Sequence, residues 1–420
     1  MPDDLAAGDG TRGGRTPAGP EPPLITPSAP APSGLERVAY VLLLVFAGAP
    51  LFSIAVAELL LAIIALLWLI LVIRGRETIA VPPMFWPLLA FGACTLVSSV
   101  FSIDQHVSFV DSKQLVLYAI VPIAYRLLRG PRTLKAVDVM ITAGALSAVY
   151  GIVQYGIFDF DNLGQRVQGT LGHYMTYSGL IMLVACVAAA RVMFMPHDRL
   201  WAALIMPAVL VALALTFSRN AWVGACAGIS LLFVLRDFRL VALVPVVAAI
   251  FVIFAPVQLS NRFYSTFSLT DPTNADRLAM LRSGLRIIKD DPLTGVGPDM
   301  VIQVYPHYRD PGAVTQRAPH LHNVPLQIAA ERGLPALAAW LWFIVVLVRD
   351  LWRKTRTSAL RSLPTAALAA VVAMLAAGMF EYNFGDSEFL MIFLLLVTLP
   401  YAADYAPAGS HAVRRSPQAA

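Results

Sequence analysis

The side chains best suited to chemistry in this chain are a few polar residues that lie between long apolar runs. His322 and Asn323 stand at the predicted start of a helix, and a helix N-terminus disfavours positive charge on an imidazole. A neutral imidazole near pH 7 can act as a general base. The alternative is an interface histidine that only satisfies backbone groups. His320 lies two residues away, so the pair would not share a helix face, and we expect no metal site there.

Three arginines could bind an anion. Arg219 lies in a short turn between two apolar runs, Arg277 begins an amphipathic segment, and Arg166 lies in a glycine-rich loop. A guanidinium group binds phosphate through two parallel hydrogen bonds and keeps its charge in almost any environment. The alternatives are snorkelling to the membrane interface for Arg219, and a salt bridge or a lipid headgroup contact for Arg277.

Two acidic motifs are candidate functional sites, although the reasons for them are weaker. Asp159-Phe-Asp161 resembles a metal-binding DxD motif, but acids are also common where an apolar span ends. The turn from Glu381 to Asp386 could hold an arginine or an acceptor, or could simply cap the helix that begins at 387.

The composition indicates a membrane protein. Of 420 residues, 58% are hydrophobic and 14% are charged, whereas soluble domains carry about 25% charged residues. The net charge of +5 is spread over short loops, so it does not indicate nucleic-acid binding. We therefore predict an all-α, polytopic helical bundle with about twelve transmembrane helices. The predicted spans are 36–54, 56–73, 81–100, 112–125, 136–158, 174–190, 200–217, 220–235, 240–258, 333–348, 364–380 and 387–404.

The distribution of lysine and arginine predicts the orientation. Most of these residues fall in alternate short loops, such as the segments 74–76, 126–135 and 349–361. Such loops face the cytoplasm, which places both termini inside the cell. Residues 1–34 and 405–420 are predicted to be cytoplasmic tails around a membrane domain at 35–404.

A long external loop is predicted at 259–332. Long loops of this kind are usually functional. Within it, Leu278, Leu281, Leu285 and Ile288 recur at helical spacing, which predicts an amphipathic helix at 276–289 that lies on the membrane surface.

The ordered set of these motifs resembles the O-antigen ligase family of bacterial envelope glycosyltransferases, which includes O-antigen polymerases and protein O-oligosaccharyltransferases. The residues that carry the resemblance are Ser218-Arg219-Asn220-Ala-Trp222, Arg277, Asp291-Pro-Leu-Thr-Gly295-Val-Gly297, His322-Asn323, Glu331-Arg332-Gly333 and Asn383-Phe-Gly-Asp386-Ser387.

The resemblance implies an inverting glycosyltransferase with a GT-C-like fold that needs no metal or other cofactor. It implies a glycan donor on undecaprenyl diphosphate, a lipid A-core acceptor, and an active site on the periplasmic side of the bacterial inner membrane. Arg219 and Arg277 match the arginines thought to hold the diphosphate, with Arg166 as a third candidate, and His322 matches the histidine thought to activate the acceptor. Asn323 and Asp386 are expected to position these groups.

Other functions remain open at the level of sequence. A polymerase or a protein O-oligosaccharyltransferase would use the same donor with a different acceptor. A transporter or flippase for an anionic lipid-linked substrate is the alternative from another class. Transporters tend to carry their charges near the membrane midplane, whereas the polar set here falls at one predicted face.

Overall fold

The structure is a computed structural model, and it describes residues 33–254, 256–266, 268 and 271–405. The predicted tails at 1–34 and 405–420 lie outside the described residues except at their inner edges. The described residues form helices joined by short 3₁₀ turns and loops, so the all-α prediction is confirmed.

The α-helices follow the chain in this order: α1 (Gly34–Phe46), α2 (Ile54–Ile73), α3 (Phe85–Val100), α4 (Gln105–Asp111), α5 (Ile120–Leu127), α6 (Arg132–Ile157), α7 (Tyr174–Phe194), α8 (Leu200–Leu215), α9 (Arg219–Arg236), α10 (Leu243–Phe254), α11 (Val257–Ser265), α12 (Pro272–Asp290), α13 (Val301–Tyr308), α14 (Val324–Thr357), α15 (Ser362–Gly378) and α16 (Ser387–Ala403).

Six helical segments of the described chain are long and apolar enough to cross a membrane, and four more apolar helices are shorter. The chain is therefore a helical membrane protein, but the structure supports fewer spans than the predicted twelve. The reason is length, because α8 has 16 residues and rises only about 24 Å at 1.5 Å per residue. The six are 34–51, 54–73, 105–127, 132–157, 174–194 and 324–357.

Close packing of α9 on α15 places the turn that carries Arg219. Gly224 and Gly228 are four residues apart on α9, and both face α15. A Cβ atom on Gly228 would lie 2.8 Å from the Ala369 carbonyl oxygen, and one on Gly224 would lie 2.7 Å from that of Ala373. Small residues at this spacing let two helix backbones approach closely inside a membrane.

Helix α14 is broken at Gly333. This glycine has φ 80° and ψ 170°, values that are not helical, so the segment 324–332 leaves the axis of the segment that follows. A break frees backbone groups that must find other partners. Backbone N–H groups of Val296 and Gly297 donate to the carbonyls of Ala330 and Glu331, at 3.0 and 2.9 Å. Beyond the break, the Leu334 N–H donates to the Pro292 carbonyl at 2.8 Å.

The turn at 291–297 therefore braces the broken helix. Gly295 has φ 65°, and a Cβ atom there would collide with the backbone of Glu331.

The predicted long loop contains α12 and α13, and α12 confirms the amphipathic helix expected at 276–289. Leu278, Leu281 and Leu285 are exposed on α12, whereas Met280 and Ile287 are buried on its opposite face.

Replacement of Gly333 by alanine should destabilise the protein. Alanine is strained at this φ, and its Cβ would collide with the Leu293 carbonyl. We expect a loss of about 1–3 kcal/mol, measured as a lower midpoint of thermal unfolding in detergent. Gly156→Ala is the matched control, because Gly156 lies in helix α6 with no atom within 4 Å of an added Cβ. Equal midpoints for the two variants would contradict the bracing role of the turn.

Candidate functional site

His322 lies just outside the helix that it was predicted to open. Asn323 is the N-cap of α14, and its side-chain oxygen accepts a hydrogen bond from the Leu326 N–H at 2.9 Å. The Asn323 amide also donates to the Met379 carbonyl at 3.2 Å. His322 precedes the cap with φ 50°, a left-handed conformation. This backbone turns its imidazole toward the segment after α15.

Glu381 is the residue on which both histidines converge. Its carboxylate is buried, and Oε2 lies 2.9 Å from His322 Nδ1, while Oε1 lies 3.4 Å from His320 Nε2. The two imidazole rings are 4.3 Å apart between centroids. His320 and His322 do not share a helix face, but they come together because both precede the helix and the helical spacing rule does not apply to them.

The charge of this cluster follows from burial and hydrogen bonding. Burial opposes the negative charge of Glu381, but the hydrogen bond from His322, the proximity of both rings and the Tyr382 N–H lower its pKa to about 2. Burial lowers the pKa of His320 to about 4, against the attraction of Glu381. Near pH 7 Glu381 is therefore an anion and His320 is neutral. An anionic Glu381 can only accept, so His322 donates to it from Nδ1–H, and in this neutral tautomer the lone pair lies on Nε2.

Arg219 already has partners in this structure. It is 4% exposed at the start of α9 and forms an ion pair with Asp271 at 3.2 Å. It also donates to the carbonyl and hydroxyl oxygens of Ser265, at 3.0 and 3.1 Å. Arg219 thus ties α9 to the turn between α11 and α12.

Three further arginines surround Arg219 with little compensating charge. Burial lowers the pKa of Arg277, Glu381 opposes this shift, and Arg219 adds to it. Burial also lowers the pKa of Arg166, which stacks 4.3 Å from the Tyr174 ring. The structure adds Arg262 to the predicted three. Burial, and then the charges of Arg219 and Arg166, lower its pKa to about 10.

Arg262 and Arg277 have buried Nε atoms without a hydrogen-bond partner among the described residues. Only Asp271 forms an ion pair with any of the four arginines in the described part of the chain. Arg219 is buried and the other three arginines are half-buried, and such an excess of positive charge is unstable unless an anion joins it. Arg262 escaped the sequence analysis because it lies four residues beyond the predicted span 240–258, where a basic residue usually contacts lipid headgroups.

The 381–386 turn joins this site to the helix bundle. Asp386 caps α16 by accepting from the Phe389 N–H at 2.9 Å, and it also accepts from the Thr176 hydroxyl on α7. The Gln114 amide donates to the Gly385 carbonyl at 2.7 Å. A cavity of about 180 Å³ lies against this turn, and its polar lining residues are His173, Thr176, Asn220, His320, Glu381, Tyr382, Asn383 and Asp386.

The DxD-like pair does not join the site. Asp159 is exposed in a turn with φ 59°, and Asp161 pairs through its backbone with Arg166. Within the described ranges, the group of side chains close enough to hold a metal ion is instead His320, His322 and Glu381.

The fold and the site define a multi-pass helical membrane protein with an arginine cluster beside a histidine–carboxylate pair. Residues 201–341 match the family model described as O-antigen ligase, which confirms the predicted resemblance to that family. The match covers α8 to the first part of α14, and so includes Arg219, Arg262, Arg277 and His322. No curated protein matches the chain. The family match, over about a third of the chain, supports an enzyme of the O-antigen ligase or polymerase type that acts in lipopolysaccharide biosynthesis.

Replacement of Asp386 by alanine should destabilise this end of the bundle. The change removes both the cap of α16 and the link to Thr176. Loss of an N-cap costs about 0.5–2 kcal/mol, so the thermal midpoint should fall. Asp386→Asn is the matched control, since an amide oxygen still caps the helix. An alanine variant as stable as the asparagine variant would refute this positioning role.

Proposed function

We propose that this protein is a glycosyltransferase that moves a glycan from undecaprenyl diphosphate to a hydroxyl group of a lipid A-core acceptor. The proposal places the reaction at the periplasmic face of the inner membrane, with both termini in the cytoplasm and a GT-C-like bundle around the site. The single observation that carries it is the proximity of buried and half-buried arginines, in excess of their carboxylate partners, to an imidazole hydrogen-bonded to a buried carboxylate.

The arginines supply what the leaving group needs. Breaking the bond between a sugar and a diphosphate leaves extra negative charge on the phosphate oxygens. Fixed cations stabilise that charge without reorganising, and this is often the largest catalytic contribution. We assign Arg277 and Arg166 to direct contacts with the diphosphate, and Arg262 joins them. Arg219 binds the diphosphate by exchanging its Asp271 partner for a phosphate oxygen.

His322 supplies the base. With Nδ1–H held by Glu381, Nε2 can accept the proton of the acceptor hydroxyl. The hydroxyl oxygen forms a bond to the anomeric carbon as the bond to the diphosphate breaks on the opposite side, which inverts the anomeric centre. Glu381 then stabilises the imidazolium that forms, as a positioning residue in the manner of a His–Asp pair. No metal takes part in this scheme.

Loss of the Arg277 charge should nearly abolish transfer. We expect Arg277→Gln to lower kcat/KM at least about 100-fold, because a charge-stabilising donor is lost. Arg277→Lys should restore little, since a point charge replaces a planar fork. The assay follows release of undecaprenyl diphosphate from lipid-linked glycan in detergent. Lys289→Gln is the matched control, because it removes one positive charge from an exposed position on the same helix. Normal activity of Arg277→Gln would end the diphosphate assignment.

Changes to the histidine–glutamate pair should affect chemistry more than binding. His322→Ala should lower kcat by about 10²- to 10⁴-fold with little change in KM for the donor. Glu381→Gln should also lower kcat and alter its pH profile, because the ring loses the anion that fixes its proton on Nδ1. Unchanged kcat in His322→Ala would exclude the general-base role while leaving the arginine assignments intact.

The identity of the acceptor can be tested by deleting the gene in cells. Deletion of the gene should leave lipid A-core without attached glycan while polymerised glycan still forms on the lipid carrier. A shortened glycan would instead indicate a polymerase, and a loss of glycosylated protein would indicate a protein O-oligosaccharyltransferase.

A further inference from the structure

We propose that His320, His322 and Glu381 form a binding site for a divalent transition metal ion such as Zn²⁺, and that the bound ion switches off the proposed base. These three side chains are the ligands of the ion, and metal binding itself does not depend on the proposed function. The inhibitory effect rests on the proposed function.

The donor atoms are already close together. His322 Nδ1 lies 2.9 Å from one carboxylate oxygen of Glu381, and His320 Nε2 lies 3.4 Å from the other. One ligand atom from each residue falls within 4.8 Å of the others. Ligands at about 2.0–2.2 Å from a tetrahedral zinc ion are separated by about 3.3–3.6 Å. Small side-chain rotations therefore bring all three donors onto one ion.

The donor types select the kind of metal. Two imidazole nitrogens and one carboxylate suit Zn²⁺, Fe²⁺, Ni²⁺ or Cu²⁺ rather than Mg²⁺ or Ca²⁺, which prefer sets made only of oxygen ligands. Three protein ligands also leave a coordination position open for water. His320 and His322 lie on the non-helical segment before α14, and Glu381 lies on the turn after α15, so the ion would join two elements.

The effect on the base follows from proton placement. A metal on Nδ1 uses the lone pair at that atom, so the proton that Nδ1 carried moves to Nε2. Nε2–H cannot accept a proton from a hydroxyl group. The ion also takes the Glu381 carboxylate away from the imidazole. A metal-loaded site is therefore inactive, and a chelator restores the free base.

The positive charge of Arg277 should weaken metal binding at this site. Arg277 interacts electrostatically with Glu381, so its positive charge opposes a cation bound there. Removing that charge should strengthen metal binding even though the same change abolishes transfer. A metal bound elsewhere on the surface would not respond in this way.

The decisive experiment measures Zn²⁺ binding by calorimetry on the full chain in detergent, without a polyhistidine tag. We expect one ion per chain, at least tenfold weaker binding in His320→Gln and Glu381→Gln, and tighter binding in Arg277→Gln. Unchanged affinity in His320→Gln and Glu381→Gln would overturn the site, whatever the activity of the protein.

Turnover then tests the switch. Zn²⁺ should inhibit the wild-type protein, EDTA should reverse the inhibition, and His320→Gln should turn over without inhibition at the same Zn²⁺ concentration. Zinc that binds the three residues without slowing turnover would overturn the switch and would also count against His322 as the base. Loss of turnover on chelation alone would overturn the inhibitory assignment, because the metal would then be required.

Discussion

The structure of this protein depends most on one constraint, which is that every buried backbone group needs a hydrogen-bond partner. A helix that crosses a membrane can break only where other groups replace its lost hydrogen bonds. Here the turn at 291–297 provides the replacements at Gly333, and the Ser98 hydroxyl also donates to the Glu331 carbonyl at 2.9 Å. The break lets the first part of α14 take its own direction. Its N-terminal end can then present His322 to Glu381, and the site depends on that direction.

The arginine cluster, by contrast, lacks hydrogen-bond and ion-pair partners for several of its groups within the described chain. Arg219 has Asp271 and Ser265, but Arg262 and Arg277 each retain a buried Nε atom without a partner among the described residues. The buried Arg332 guanidinium also has an Nε atom without a partner in the described ranges, but its charge is compensated by ion pairs with Glu331 and Asp111, and it donates to the Tyr382 hydroxyl. This contrast marks the cluster as the place where a ligand with negative charge would bring the largest gain.

Much of the helical framework could be predicted, because apolar runs and turn residues are local signals. The break in α14 was less accessible, since the helix predicted to begin at His322 and Asn323 was expected to continue into the membrane past Gly333. Gly333 followed by Pro335 was the available signal. The residues that contact His322 and Arg219 were harder still to predict. Glu381 meets His322 across 59 positions of the chain, and Asp271 meets Arg219 across 52. Such pairs depend on how loops return to the bundle, which spacing along the sequence does not encode.

The ion pair between Arg219 and Asp271 has a consequence for the catalytic cycle of the proposed enzyme. An arginine that already holds a carboxylate gains a phosphate only by giving up an interaction of similar strength, so the net free energy of that exchange is small. Asp271 can return to Arg219 as the spent carrier lipid departs. An internal competitor of this kind keeps a strongly cationic pocket from retaining its product, and it favours repeated turnover over tight capture.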